Sequence, residues 1–297
     1  MLLTTNQPLI MTTLTPITSL LPSDFLSQPS PNLKASHIDF AQTALPKYAG
    51  SYAVVLDNVL THAECRTLLH AAEATSTQKE GEKWERALVN TGGGTQAMYT
   101  DIRNCGRIIW DSREIVGKIW KRMEHVPEVQ EIARLRGRAG ITGNGPAKRR
   151  ETWRLTRPNE RMRFLKYVGG EYFRPHCDGT YETPDGRERS YVTFHLYLND
   201  TGMPTAESLE GLSEADRKDA ERDALKGGAT TFHSLTWDDE RVDIEPKAGR
   251  VLLFQHRNLV HSGDDVVAGV KYTMRTDIMY ELEENVDDQG KAQVAAE

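Results

Sequence analysis

The sequence predicts an α+β chain with an antiparallel β-sandwich or barrel in its C-terminal half, flanked by helices from the N-terminal half. Three observations predict it. From residue 161 onward, apolar and polar residues alternate with period two in runs at 161–168, 172–178, 190–198, 229–233, 249–255 and 270–280. Gly, Pro and Asp turns separate these runs, as in antiparallel sandwiches and barrels. Before residue 125, two segments carry helical spacing instead.

In chain order, residues 1–47 are rich in Thr, Ser, Pro and Leu without a usable period and predict a loosely ordered arm. Residues 53–57 (AVVLD) suit a strand. Thr61 opens a helix, with Glu64 completing a capping box and Leu68, Leu69 and Ala72 at helical spacing. Residues 106–110 read as a strand. Asp111 with Glu114 then offers a second helix start, and Ile115, Val116, Ile119, Trp120 and Met123 make one apolar stripe. The segment 131–166 is locally basic, and Gly137, Gly140, Gly143 and Gly145 mark its first half as a mobile loop. It is either a solvated loop or an electropositive rim that attracts an anionic substrate. The long interruption at 200–227 contains a charged surface helix capped by Ser213 and Asp216. From Glu281 the chain is acidic and reads as a solvated tail. The organisation is thus an arm (1–47), one domain (48–280, core about 160–280) and a tail (281–297).

The chain has 297 residues, 38% hydrophobic and 27% charged, an ordinary soluble globular composition. No apolar run approaches the roughly 18 residues a spanning helix needs, so no membrane partner is expected. The net charge of -6 and the lack of aromatic residues interleaved in the basic loop give a nucleic-acid role no support. Cys65, Cys105 and Cys177 are odd in number and far apart, which argues against a disulfide framework or a CxxC zinc site. The first basic residue is Lys34, so neither a secretory nor a mitochondrial signal is read, and a cytoplasmic location is the default.

The chemistry concentrates at Pro175-His176-Cys177-Asp178-Gly179. In a strand, alternate side chains share a face, so His176 and Asp178 point together and Cys177 away. A third ligand must come from elsewhere. His261 follows an apolar strand in a polar turn that can be aimed, and is preferred to His256, which ends the strand. Two His and one carboxylate leave half an octahedron open, the arrangement of non-haem Fe(II) oxygenases. The HExxH helix of many zinc hydrolases is absent.

Around this stretch the sequence resembles a family. Tyr167-Val-Gly-Gly170-Glu-Tyr-Phe173-Arg-Pro-His176-Cys-Asp178 is similar to the Y-x-x-G-x-x-[YF]-x-x-H-x-D signature of prolyl 4-hydroxylase-like, Fe(II)- and 2-oxoglutarate-dependent oxygenases. Further blocks follow at similar spacing: Thr193 to Asn199, Gly227 to Phe232 (GGATTF), Pro246 to Phe254, and His261 with Lys271 ten residues on. The resemblance covers about residues 160–280 and implies a double-stranded β-helix, or jelly-roll. It implies Fe(II) as cofactor, with 2-oxoglutarate and O2 as cosubstrates, and the release of succinate and CO2 as an unactivated C–H is oxidised. It also implies a buried cation for the distal carboxylate of 2-oxoglutarate, since an unpaired buried carboxylate is prohibitively costly. Lys271 fits by family spacing, and Arg275 lies on the same face four residues on. Tyr167, Thr193 and Tyr197 match positions that hydrogen-bond 2-oxoglutarate. The expected substrate is a small molecule, and an anionic one would need a cation opposite the iron. Arg103, Arg107, Arg163, Tyr172, Phe173 and His195 are the candidates for contacting it. A cytosolic peptidyl-prolyl hydroxylase and a catalytically silent metal-binding jelly-roll are the competing readings. Two departures stand out: the 200–227 segment exceeds the turn many relatives use, as a lid or docking surface, and Phe173 stands where collagen-type relatives often have Tyr.

Overall fold

The computed structural model describes residues 21–30, 32–78, 82–92, 95–236 and 238–283. Two strands, β1 (Lys34–His37) and β2 (Ala53–Asp57), lead into α1 (His62–Thr75). The helix starts at the expected capping box, with Glu64 N–H on Thr61 Oγ1 at 3.2 Å and Thr61 N–H on the Glu64 carboxylate at 2.8 Å. Next come β3 (Arg103–Asn104), β4 (Gly106–Asp111) and α2 (Arg113–Lys121). The N-cap of α2 is Ser112 rather than Asp111. The strand runs on through Asp111, which pairs with Arg161 in the ladder, so the cap moves one residue.

The C-terminal half adds β5 (Thr152–Pro158), β6 (Arg161–Val168), β7 (Tyr172–His176), β8 (Glu188–Tyr197), α3 (Glu214–Arg222), β9 (Thr230–His233), β10 (Arg241–Ile244), β11 (Val251–Gln255), β12 (His261–Gly263) and β13 (Val270–Glu283). Every period-two run forms a strand. The large sheet runs β1-β2-β11-β8-β13-β6-β4, and the small one β10-β9-β12-β7-β3. All these pairings are antiparallel. The architecture is the expected α+β double-stranded β-helix with flanking helices.

Alternation decides which side chains reach the interior between the sheets. On β8, Phe194 and Leu196 join Leu68 of α1 and Ile115, Ile119 and Trp120 of α2 in the main core. Each such fully buried side chain contributes about 1.5–3 kcal/mol. Tyr197, on the opposite face, packs with Phe232 and Ile244 of the small sheet. On β13, Met274 and Ile278 face the helices, while Lys271 and Arg275 line a cavity between the sheets. Gly249 fastens β11 to the segment after β2. Its φ is +74°, and a Cβ there would lie 1.8 Å from the Leu60 carbonyl oxygen. That close approach lets its own carbonyl accept from Val59 N–H at 2.9 Å.

Several expectations need correction. The basic segment is not a loop: it forms short helices at Ala139–Thr142 and Asn144–Lys148, and then β5. Its arginines find acids across the ladders, Arg154 with Glu281, Arg134 with Glu283 and Arg157 with Glu188. For the same reason β13 continues to Glu283, beyond the expected start of the tail. Residues 1–20 of the expected arm lie outside the described residues; in its described part β1 pairs with β2, and Phe25, Phe40 and Leu45 are buried. The insertion packs on α1: Arg66 donates to the carbonyls of Ser208 and Glu210 at 2.9 Å, and His62 meets Asp200 at 2.7 Å.

Candidate active site

His176 ends β7 and stands directly opposite His261, the first residue of β12, with ring centroids 4.4 Å apart. Register, not an aimed turn, therefore delivers His261. Because β7 stops at His176, Asp178 comes from the segment after the strand rather than by alternation along it. The three side chains still converge, each offering one ligand atom within 4.8 Å of the others. Asp178 Oδ1 lies 3.6 Å from His176 Nε2, and Oδ2 lies 3.7 Å from His261 Nε2. Three donors on one octahedral face, each about 2.1 Å from an ion, sit about 3 Å apart, so a small closure completes a facial site.

Both imidazoles are held by their other nitrogen. Nδ1 of His176 lies 2.8 Å from the Arg174 carbonyl, and Nδ1 of His261 lies 3.1 Å from the Leu259 carbonyl. A carbonyl only accepts, so each Nδ1 donates and each Nε2 keeps its lone pair for a metal. Burial, with His176 beside it, lowers the His261 pKa to about 3, so this ring is neutral at any working pH.

Asp178 is oriented at both oxygens. Arg275 Nη2 donates to Oδ1 at 2.8 Å, and the Thr193 hydroxyl donates to Oδ2. Burial pushes this carboxyl up, but Arg275, His261 and His176 together outweigh it and hold it well below the usual carboxylate range. Behind this pair, Asp277 meets Arg275 at 3.4 Å and Arg163 at 3.3 Å. Charges therefore alternate from Arg163 through Asp277 and Arg275 to Asp178.

The triad opens into a narrow cavity of about 30 Å³ between the sheets, also lined by Arg103, Tyr167, Phe173, His195, Lys271 and Arg275. Lys271 is 2% exposed. Its ammonium lies over the rings of Tyr167 and Tyr197 at 5.4 and 5.9 Å and has no hydrogen-bond or ion-pair partner among the described residues. Burial lowers its pKa to about 8. An unpartnered buried ammonium fits a ligand carboxylate. Burial, reinforced by Lys271 and Arg275, keeps His195 neutral, and its Nε2 has no partner. A wider groove of about 790 Å³ lies between α1 and the insertion, and none of the triad lines it.

Of the other expected contacts, Tyr167, Arg103, Phe173 and His195 line the cavity. Thr193 serves Asp178 instead. Tyr197 lies beneath, its hydroxyl donating to Thr230 at 2.7 Å. Arg107 is engaged by Glu85 at 2.7 Å, Arg163 by Asp277, and Tyr172 by the Thr100 carbonyl at 3.2 Å, all outside the cavity. Thr230 and Phe254 line it without having been singled out. Both stood in the aligned blocks, and that was their only signal.

Residues 162–276 match the model of the 2OG-Fe(II) oxygenase superfamily, the span that carries the triad and every residue lining the cavity except Arg103. No curated protein matches the chain. Among solved structures, the chain is similar to a viral collagen prolyl hydroxylase from Paramecium Bursaria Chlorella virus-1 in its 2OG complex. Identity is 18%, coverage 78% of this chain and 97% of that one, and the TM-score 0.43. It is similar as well to a Pseudomonas putida prolyl-4-hydroxylase, with 16% identity, 82% and 99% coverage and a TM-score of 0.45. A Burkholderia pseudomallei oxidoreductase of the 2OG-Fe(II) oxygenase family shows 12% identity, 82% and 90% coverage and a TM-score of 0.35. No described helix is long and apolar enough to cross a membrane. Residues 162–276 therefore form a segment of the 2OG-Fe(II) oxygenase superfamily, dioxygenases that use Fe(II), 2-oxoglutarate and O2, and the candidate His-Asp-His triad lies within it.

Proposed function

We propose that this dioxygenase oxidises an unactivated C–H bond of a small molecule, with His176, Asp178 and His261 as its iron ligands and Lys271 as the partner of the 2-oxoglutarate 5-carboxylate. For hydroxylation the balance is R–H + O2 + 2-oxoglutarate → R–OH + succinate + CO2. The observation that carries the reading is the convergence of two oriented imidazoles and a carboxylate on a cavity that also holds a buried ammonium without a partner.

Bound iron and 2-oxoglutarate supply the activation of O2, and the protein supplies position and exclusion. The backbone carbonyls of Arg174 and Leu259 fix the two imidazoles, while Arg275 and Thr193 fix the carboxylate between them. Lys271 and Arg275 divide the two cationic roles that family spacing left open. Arg275 is engaged by Asp178 and Asp277, which leaves Lys271 for the distal carboxylate. Leu165, Phe173 and Phe254 give the cavity apolar walls that exclude water. The cationic lining of the cavity favours a small anionic substrate.

The test is substrate-stimulated succinate formation by the full chain across metabolite fractions and Pro-containing peptides. Stimulation by small molecules supports the reading. Turnover only with the peptides overturns the substrate class while leaving the ligand set standing.

A further inference from the structure

Four cationic side chains are buried among the described residues: Arg103, Arg107, Arg122 and Lys271. Two are neutralised locally. Arg122 grips both oxygens of Glu64 at 2.7 and 2.8 Å, and Arg107 donates twice to Glu85 at 2.7 and 2.9 Å. Arg103 and Lys271 have no carboxylate partner among the described residues, and both line the cavity that the triad faces. A buried charge is costly unless it is paired, so this cavity is built to receive two anionic groups. The 5-carboxylate of 2-oxoglutarate accounts for Lys271. Arg103 is left over.

The surroundings of Arg103 are those of a binding group. It is 8% exposed, its Nε has no hydrogen-bond partner, Nη1 makes a long 3.4 Å contact with the Leu88 carbonyl, and its other polar neighbour is the Cys105 thiol, with the Asp178 carboxylate acting on it at longer range. The register of β3 against β7 sets Arg103 directly opposite Phe173. The guanidinium lies 4.6 Å from the centre of the Phe173 ring, which stacks in turn on His176 at 3.7 Å and 24°. This stack spaces the guanidinium one aromatic ring from a proposed iron ligand and leaves its N–H fork without a carboxylate. Arginine suits the role, because its planar fork matches a carboxylate with two parallel hydrogen bonds.

We propose that Arg103 binds the carboxylate of the oxidised substrate, and therefore that the substrate is a small organic acid or amino acid whose reacting carbon lies a few bonds from that carboxylate. This rests on the reading of the cavity as the Fe(II)/2-oxoglutarate site.

The experiment uses the full chain, anaerobic and loaded with Mn(II) and 2-oxoglutarate, in calorimetric titrations. The probes are the common α-amino acids and short aliphatic and aromatic acids, each paired with its primary amide. At least one acid binds the wild type, and its amide binds about tenfold more weakly or worse. Arg103→Met erases that preference, Arg103→Lys restores part of it, and the affinity for 2-oxoglutarate stays within about threefold throughout. Three results overturn the proposal: no acid of the panel binds; acid and amide bind alike; or Arg103→Met weakens 2-oxoglutarate as strongly as the acid, which gives Arg103 to the cosubstrate. Should Arg103→Met fail to fold, the acid–amide comparison on the wild type decides alone. A wild-type chain that takes up neither Mn(II) nor 2-oxoglutarate overturns the site reading itself, and that result is visible before any acid is added.

Discussion

Replacing Lys271 with methionine should stabilise the ligand-free protein and cripple cosubstrate binding at once. The Lys271 pKa falls from the ordinary 10.5 to about 8 because its ammonium is buried. At 1.36 kcal/mol per tenfold, that drop corresponds to about 3 kcal/mol of strain in the charged folded state. The contacts with the Tyr167 and Tyr197 rings return part of it, each about 0.5–2 kcal/mol. Methionine fills nearly the same volume without a charge, so the net gain near pH 7 is about 1–2 kcal/mol. For a chain of this size that raises Tm by about 2–8 °C. The sign has its own signature. Between pH 8 and 10.5 the unfolded chain binds the proton more tightly than the folded one, so wild-type stability climbs with pH across that window. The variant lacks that climb. Losing the partner of a buried carboxylate costs about 3–5 kcal/mol, so 2-oxoglutarate should bind at least about 100-fold more weakly. Differential scanning calorimetry across pH and calorimetric titration with 2-oxoglutarate on Mn(II)-loaded protein read the two effects. A variant less stable than wild type, with 2-oxoglutarate affinity within threefold, would refute the reasoning.

Other consequences follow from the same geometry. In wild-type protein, 2-oxoglutarate affinity should be flat below pH 8 and then fall about tenfold per unit above it, as free Lys271 loses its proton; a flat profile to pH 10 would contradict the assignment. Arg275→Leu removes the donor that holds Asp178 Oδ1 and should weaken metal binding about 10–100-fold in Mn(II) titrations, with a smaller effect on 2-oxoglutarate. An equal loss of both would instead make Arg275 a cosubstrate ligand. Gly249→Ala sets a Cβ 1.8 Å from a backbone oxygen on a left-handed residue, and should destabilise the fold by more than about 3 kcal/mol in denaturant titration.

The strands that carry the site were readable because each must bury one face and keep the other for polar work. Phe194 and Leu196 against Thr193 and His195, or Met274 against Lys271 and Arg275, are period-two statements visible in the letters. What joined them was not. In the sequence His261 looks like a turn residue because three residues in β12 are too few to show a period, and only pairing with β7 and β9 makes them a strand. β5 was hidden by charge. Its Arg154 and Arg157 look like loop residues until Glu281 and Glu188 arrive from more than thirty positions away or from the far end of the chain. The same limit explains the arginines. Arg103, Arg107 and Arg163 are equal candidates as sequence, and only the fold separates the two with carboxylate partners from the one without.

Anomalous diffraction at the manganese edge, from crystals of the full chain grown with Mn(II) and 2-oxoglutarate, speaks most directly to the ligand set. One peak should lie within about 2.3 Å of His176 Nε2, His261 Nε2 and an Asp178 oxygen, with the distal carboxylate of 2-oxoglutarate on Lys271. A peak elsewhere, or one that leaves either imidazole uncoordinated, would contradict the account.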